Sequence, residues 1–136
     1  MKKFIFIVVT LLTACVAKRE VATLPKSVTC NAEFQILWED YVAETKKFSE
    51  KNYKPSEIFI EKYNLAEQNG DFYISGHLYV NEKFSRTEFE KIGGSLVDYG
   101  NGHFTFRIPI KNLEIMIKIN GIERVELAKK VNLKIK

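Results

Sequence analysis

The chain has two histidines, His77 and His103, and two cysteines, Cys15 and Cys30. Those four residues bound the chemistry on offer. Two histidines cannot build a multi-histidine metal site, and two cysteines cannot build a disulfide framework. His77 and His103 both fall in strand-like stretches and can meet across neighbouring strands, where a histidine pair binds a metal or senses pH. With no Cys or Asp ligand beside them, the expectation is no metal and no cofactor. The sequence lacks a nucleophile–base pair, a metal constellation and a phosphate-binding loop, so the chain is expected not to be an enzyme. What remains is a set of polar aromatics and cations, above all Tyr73, Tyr79, Arg107 and Arg124. Tyr and Arg are the types enriched where proteins meet.

The elements that must position these residues are readable. Asn31 can cap a helix. Phe34, Leu37, Trp38, Tyr41, Val42, Thr45 and Phe48 follow at helical spacing, with Glu33, Glu39, Glu44, Lys46, Lys47 and Glu50 on the other face. An amphipathic helix is predicted over residues 31–51, ended by Lys54-Pro55. Residues 56–69 are ambiguous and lean to one or two helical turns. Phe72, Ile74, Gly76, Leu78 and Val80 then alternate with Tyr73, Ser75, His77 and Tyr79, which is the period of a strand with two distinct faces. Ser85 and Glu88 form a capping box with Phe84 and Phe89 as its staple, so a short helix starts at Arg86 and stops at Gly93-Gly94. Ser95–Tyr99 reads as strand, and Asn101-Gly102 marks a tight hairpin into the strand His103–Ile108. Pro109 opens a second helix over Leu113, Met116 and Ile117, closed by Asn120-Gly121. Ile122–Leu127 is a last strand.

The order strand, helix, strand, strand, helix, strand predicts an α+β fold, a ferredoxin-like βαββαβ plait. It is an antiparallel sheet with two helices on one face, preceded by the amphipathic N-terminal helix. The first and third strands belong in its centre. The helix-side core is expected from Phe72, Ile74, Leu78, Val80, Phe89, Ile92, Phe104, Phe106, Ile108, Leu113, Ile117, Val125 and Leu127. The other face is expected to show Tyr73, Ser75, His77, Tyr79, His103, Thr105, Arg107, Arg124 and Glu126. Either that face docks a partner or the 31–51 helix covers it.

The first thirty residues read as an address. Lys2 and Lys3 precede a short apolar stretch, Phe4–Leu12, and no apolar run reaches the roughly 18–20 residues of a membrane span. Leu12-Thr13-Ala14-Cys15 resembles a bacterial lipobox. That resemblance implies a signal peptide over 1–14, acylation of Cys15 and a lipid-anchored place in the cell envelope. Val16 as the next residue favours the outer membrane if the cell is Gram-negative. Residues 15–30 are expected to be a tether, 31–55 the helix, and 56–136 the plait with its tail. Cys30 is expected to be a buried or unreactive thiol. Net charge is +4, half of it from Lys2 and Lys3, too little to point to nucleic acid. RNA-recognition domains share the plait topology, but their basic-aromatic signature is absent, and no nucleic-acid partner is expected.

Three stretches carry a family resemblance: Gly70–Val80, Phe104–Glu114 with its Ile108-Pro109-Ile110 step, and Asn120–Leu127 with Gly121-Ile122 leading to Val125-Glu126. Over about residues 60–133 the chain resembles the N-terminal prodomain of subtilisin-like serine proteases, particularly of Bacteroidota-type bacteria. The resemblance implies a domain that assists the folding of a protease and inhibits it. Its open sheet face, here Tyr73, His77, Tyr79, Thr105 and Arg107, would dock on the protease. Its tail, here Leu133, Lys134, Ile135 and Lys136, would lie in the substrate cleft like an added strand. No Asp, His and Ser catalytic segments of a protease are present, so the expected role is an inhibitor or folding assistant acting in trans. The alternative expectation is a non-catalytic envelope interaction lipoprotein with no protease partner.

Overall fold

The computed structural model describes residues 23–48 and 53–128. The signal segment, Cys15 and the tail residues Leu133, Lys134, Ile135 and Lys136 lie outside the described residues. The elements run β1 (Thr29–Cys30), α1 (Ala32–Thr45), α2 (Glu57–Tyr63), β2 (Ala66–Gln68), β3 (Asp71–Val80), α3 (Arg86–Lys91), β4 (Ser95–Gly100), β5 (His103–Pro109), a 3-10 turn (Ile110–Asn112), α4 (Leu113–Ile117) and β6 (Ile122–Leu127). The sheet order is β1-β6-β3-β5-β4, with β2 also paired to β3. Four of these strands make the ferredoxin-like plait, β6-β3-β5-β4, with β3 and β5 central as their two-faced alternation predicts. The fold is α+β, and the amphipathic helix α1 precedes the plait.

The local signals explain where elements begin and end. Asn31, Ser56 and Ser85 each accept a hydrogen bond from the backbone N–H three residues on, and so cap α1, α2 and α3. Phe84 and Phe89 bring their rings to 6.2 Å across the start of α3, which is the staple. Between β4 and β5, Asn101 and Gly102 take φ of 56° and 74°, the paired left-handed values of a type I′ turn.

Two boundaries differ from expectation. The helix predicted over 31–51 ends at Thr45. Phe48 turns back, its N–H donating to the Thr45 carbonyl at 3.0 Å, and sets its ring edge-on to Tyr53. The tether expected over 15–30 is shorter at its C-terminal end, because Thr29 and Cys30 pair in parallel with Arg124 and Val125 of β6. Asn31 is the reason this edge closes. Its amide donates to the Leu127 carbonyl at 3.0 Å and accepts from the Leu127 N–H at 3.1 Å, while capping α1.

The core lies on one side of the sheet. Ile74, Leu78, Phe106, Ile108, Val125 and Leu127 from the strands join Phe89 from α3 and Leu113, Met116 and Ile117 from α4. The stripe of α1, Phe34, Leu37, Trp38 and Tyr41, belongs to the same cluster. Helix α1 therefore enlarges the helix-side core rather than roofing the opposite face. Thr45, buried among these groups, satisfies its hydroxyl on the Tyr41 carbonyl at 2.8 Å. Glu44, placed by sequence on the solvent side, instead accepts from the Tyr53 hydroxyl at 2.7 Å and the Ser56 N–H at 2.9 Å, and ties α2 to α1.

Candidate functional site

The candidate site is the sheet face turned away from the helices. Strand alternation puts it there, and cross-strand register sorts it into rows. Arg124, Tyr79 and His103 form one row across β6, β3 and β5. Glu126, His77, Thr105 and Val97 form the next, across β6, β3, β5 and β4. Ser75, Arg107 and Ser95 form a third. Opposed side chains in such rows stand close enough to interact directly. None of these residues is buried, so nothing in the described residues covers the face.

The strands approach closely behind this face. Gly76 sits on the helix side between Ser75 and His77. A Cβ there would meet the Glu126 carbonyl oxygen at 2.4 Å and the Phe106 ring at 2.9 Å. Its lack of a side chain lets Phe106 fill that space while β3 and β6 stay paired.

The side chains order one another. His103 is the hub. Its ring stacks on Tyr79 with centroids 4.6 Å apart and planes 4° from parallel, and on Tyr99 at 5.4 Å. Its Nε2 lies 3.0 Å from His77 Nδ1, a hydrogen bond between imidazoles. The Arg107 guanidinium lies 4.4 Å from the centre of the Tyr73 ring, a cation–π contact. Arg124 pairs with Glu126. Beside these groups, Ser75, His77, Ser95, Val97, Thr105 and Arg107 line an open depression of about 350 Å³. The arrangement offers aromatic surface, two guanidiniums, hydroxyls and imidazoles on a preformed plane. Such a plane suits binding, and its residues are held by their neighbours before any partner arrives.

All five sheet residues predicted to dock, Tyr73, His77, Tyr79, Thr105 and Arg107, share this face. The structure adds two that sequence reasoning missed, Val97 and Tyr99 on the edge strand β4, which are 58% and 63% exposed. Their signal was available: Ser95, Val97 and Tyr99 alternate with Leu96, which is buried. Cys30 stands apart from the site. Burial pushes its thiol up from its ordinary pKa, against a lowering by Arg124, and its Sγ donates to Gln35. A raised thiol holds less thiolate, in keeping with the unreactive reading.

Comparisons with known proteins add little. No protein-family model matches the chain, and no curated protein matches it. Among solved structures it is similar to the structure of the Clostridium perfringens CspB protease. The two are 21% identical over 85% of this chain and 95% of that chain, with a TM-score of 0.45. Among the described residues no helix is long and apolar enough to cross a membrane.

Proposed function

We propose that this chain is a non-catalytic binding protein that docks a partner on its open sheet face. The observation that carries this reading is the face itself, which none of the described residues covers. Its aromatics and guanidiniums are fixed in place by one another, and α1 packs on the opposite side. The partner we propose is a subtilisin-like serine protease, which the chain inhibits or helps to fold. The support for that identity is the sequence resemblance of residues 60–133 to protease prodomains. In this reading Tyr79 and Arg107 anchor the contact, and Leu133, Lys134, Ile135 and Lys136 enter the substrate cleft. A lipid on Cys15 holds the protein in the cell envelope, at the outer membrane if the cell is Gram-negative.

The test is inhibition. The full chain is titrated against a panel of subtilisin-like proteases with a peptide substrate. Tight inhibition is expected, weakened by Tyr79→Ala or Arg107→Ala through the sheet face and by removal of residues 131–136 through the cleft. Loss of about 2 kcal/mol at an anchor residue corresponds to roughly thirtyfold in the inhibition constant. No inhibition and no binding across the panel would remove the protease partner and leave an envelope interaction module.

A further inference from the structure

We propose that His77 and His103 chelate one divalent transition-metal ion of nitrogen-preferring type, with nickel(II) and copper(II) as the best fits. The inference is independent of any protein partner. The two nitrogens that face each other, His77 Nδ1 and His103 Nε2, are 3.0 Å apart. With metal–nitrogen bonds of about 2.0–2.1 Å, that separation subtends roughly 91–97° at the ion. This is the cis angle of square-planar and octahedral ions, smaller than the tetrahedral angle zinc prefers. Copper(II) and nickel(II) also stand high in intrinsic affinity for imidazole.

The surroundings keep the two rings adjacent. His103 is clamped between the rings of Tyr79 and Tyr99. His77 rises from the central strand β3, with Thr105 opposite on β5 and Glu126 opposite on β6. The charged groups of the face are engaged elsewhere, Arg107 over Tyr73 and Arg124 with Glu126. Among the described residues no third ligand joins the pair, so water completes the coordination. Binding requires each lone pair to tip from the line of the present hydrogen bond by about 41–44°, given bonds of about 2.0–2.1 Å. The bridging proton moves to the outer nitrogen of the same ring. Both facing nitrogens then offer lone pairs.

The sequence reading set metal aside because no Cys or Asp lies near either histidine. The sequence already allows the two rings to meet across neighbouring strands; the structure adds which nitrogens face each other and at what distance, His77 Nδ1 and His103 Nε2 at 3.0 Å. The test is calorimetric titration of nickel(II) chloride into the untagged full chain in mild detergent, with thiols alkylated so that cysteines cannot bind. One ion per chain is expected. His77→Gln and His103→Gln are each expected to weaken Kd by at least about tenfold, the lower end of what even a lost outer-shell partner costs. Saturating nickel should raise Tm of the parent chain and leave both variants unmoved. If either variant does not fold, the parent alone decides. Sub-stoichiometric nickel must broaden the imidazole NMR signals of His77 and His103, and the ring signals of Tyr79 and Tyr99, before any others. Equal affinity in parent and folded variants, or earlier broadening elsewhere, overturns the proposal.

Discussion

The two faces of one sheet are made by the same strands and differ in almost every other respect. Along β3, Ile74 and Leu78 point to the helices and are buried, while Ser75, His77 and Tyr79 point away and are not. Along β5, Phe106 and Ile108 are buried, while His103, Thr105 and Arg107 stay in reach of solvent. The helix side uses hydrocarbon and Phe rings, with Phe89 edge-on to Phe106 at 6.2 Å. The open side uses rings and cations that carry polar handles. One face therefore contributes stability by removing apolar area from water, and the other spends its aromatic area on a surface left available. A single-residue slip of register would exchange the two sets, so the same alternation that builds the core also defines the site.

That contrast is broken most sharply by truncating neighbours that point in opposite directions. Leu78→Ala should cost about 2–5 kcal/mol of folding free energy, because Leu78 is fully buried and leaves a cavity. Tyr79→Ala, one residue along, should cost about 1 kcal/mol or less, the scale of a lost aromatic stack at a site open to water. Denaturant unfolding of both variants checks this. Comparable losses would mean that the open face is part of the core, and the docking reading would fall with it.

Asn31 probes the edge where the two faces share a boundary. Its side chain caps α1 and clamps both backbone groups of Leu127. Asn31→Ala removes all three bonds and should cost about 2 kcal/mol, a cap plus part-buried groups left unmade. Hydrogen exchange sharpens the expectation. Protection should fall at β1 and the end of β6 while β3 and β5 keep theirs. A uniform loss across the sheet would show that α1 holds the whole plait rather than its edge.

The plait was legible because its signals are local. Alternation in β3 and β5, the Ser85–Glu88 capping box and the Asn101-Gly102 turn each lie within a few residues of what they specify. The face residues followed from parity alone. What was missed depends on partners distant in sequence. Strand β1 is two residues long and has no period to read; it exists because β6 lies alongside and Asn31 clamps Leu127 across 96 positions. Strand β2 exposes all three of its residues, so no apolar pattern marks it. Its signal was instead the dipeptide Asn69-Gly70, whose φ of 54° and 83° make the same kind of turn as Asn101-Gly102. The meeting of His77 with His103 was legible as a contact between neighbouring strands, while its diagonal register was not.

The smallest effect expected lies outside both faces, at the contact that attaches α2 to α1. Asp40 accepts from Lys62 at 2.7 Å and from the Tyr63 hydroxyl. The Lys62 hydrogen bond first, and Tyr63 second, hold the Asp40 carboxyl below its ordinary pKa. A depressed folded pKa contributes stability above the unfolded value, near pH 4, and loses it as pH falls through the folded value. The pair is exposed to solvent, so the contribution is at most about 1 kcal/mol. Tyr63 runs with the opposite sign. Burial first, then Asp40, raises its hydroxyl, so its contribution is intact below about pH 10 and is lost as pH rises through the raised folded value. Unfolding of the parent chain and of Asp40→Asn across pH gives the check. The gap between them should be constant from about pH 5 to 8 and narrow below about pH 4 as the carboxylate takes up its proton. A gap that persists unchanged into acid would show that Asp40 acts as a neutral hydrogen-bond acceptor. Helix α2 would then be attached by Glu44 and the rings around Tyr53, and the charge at Asp40 would have no part in it.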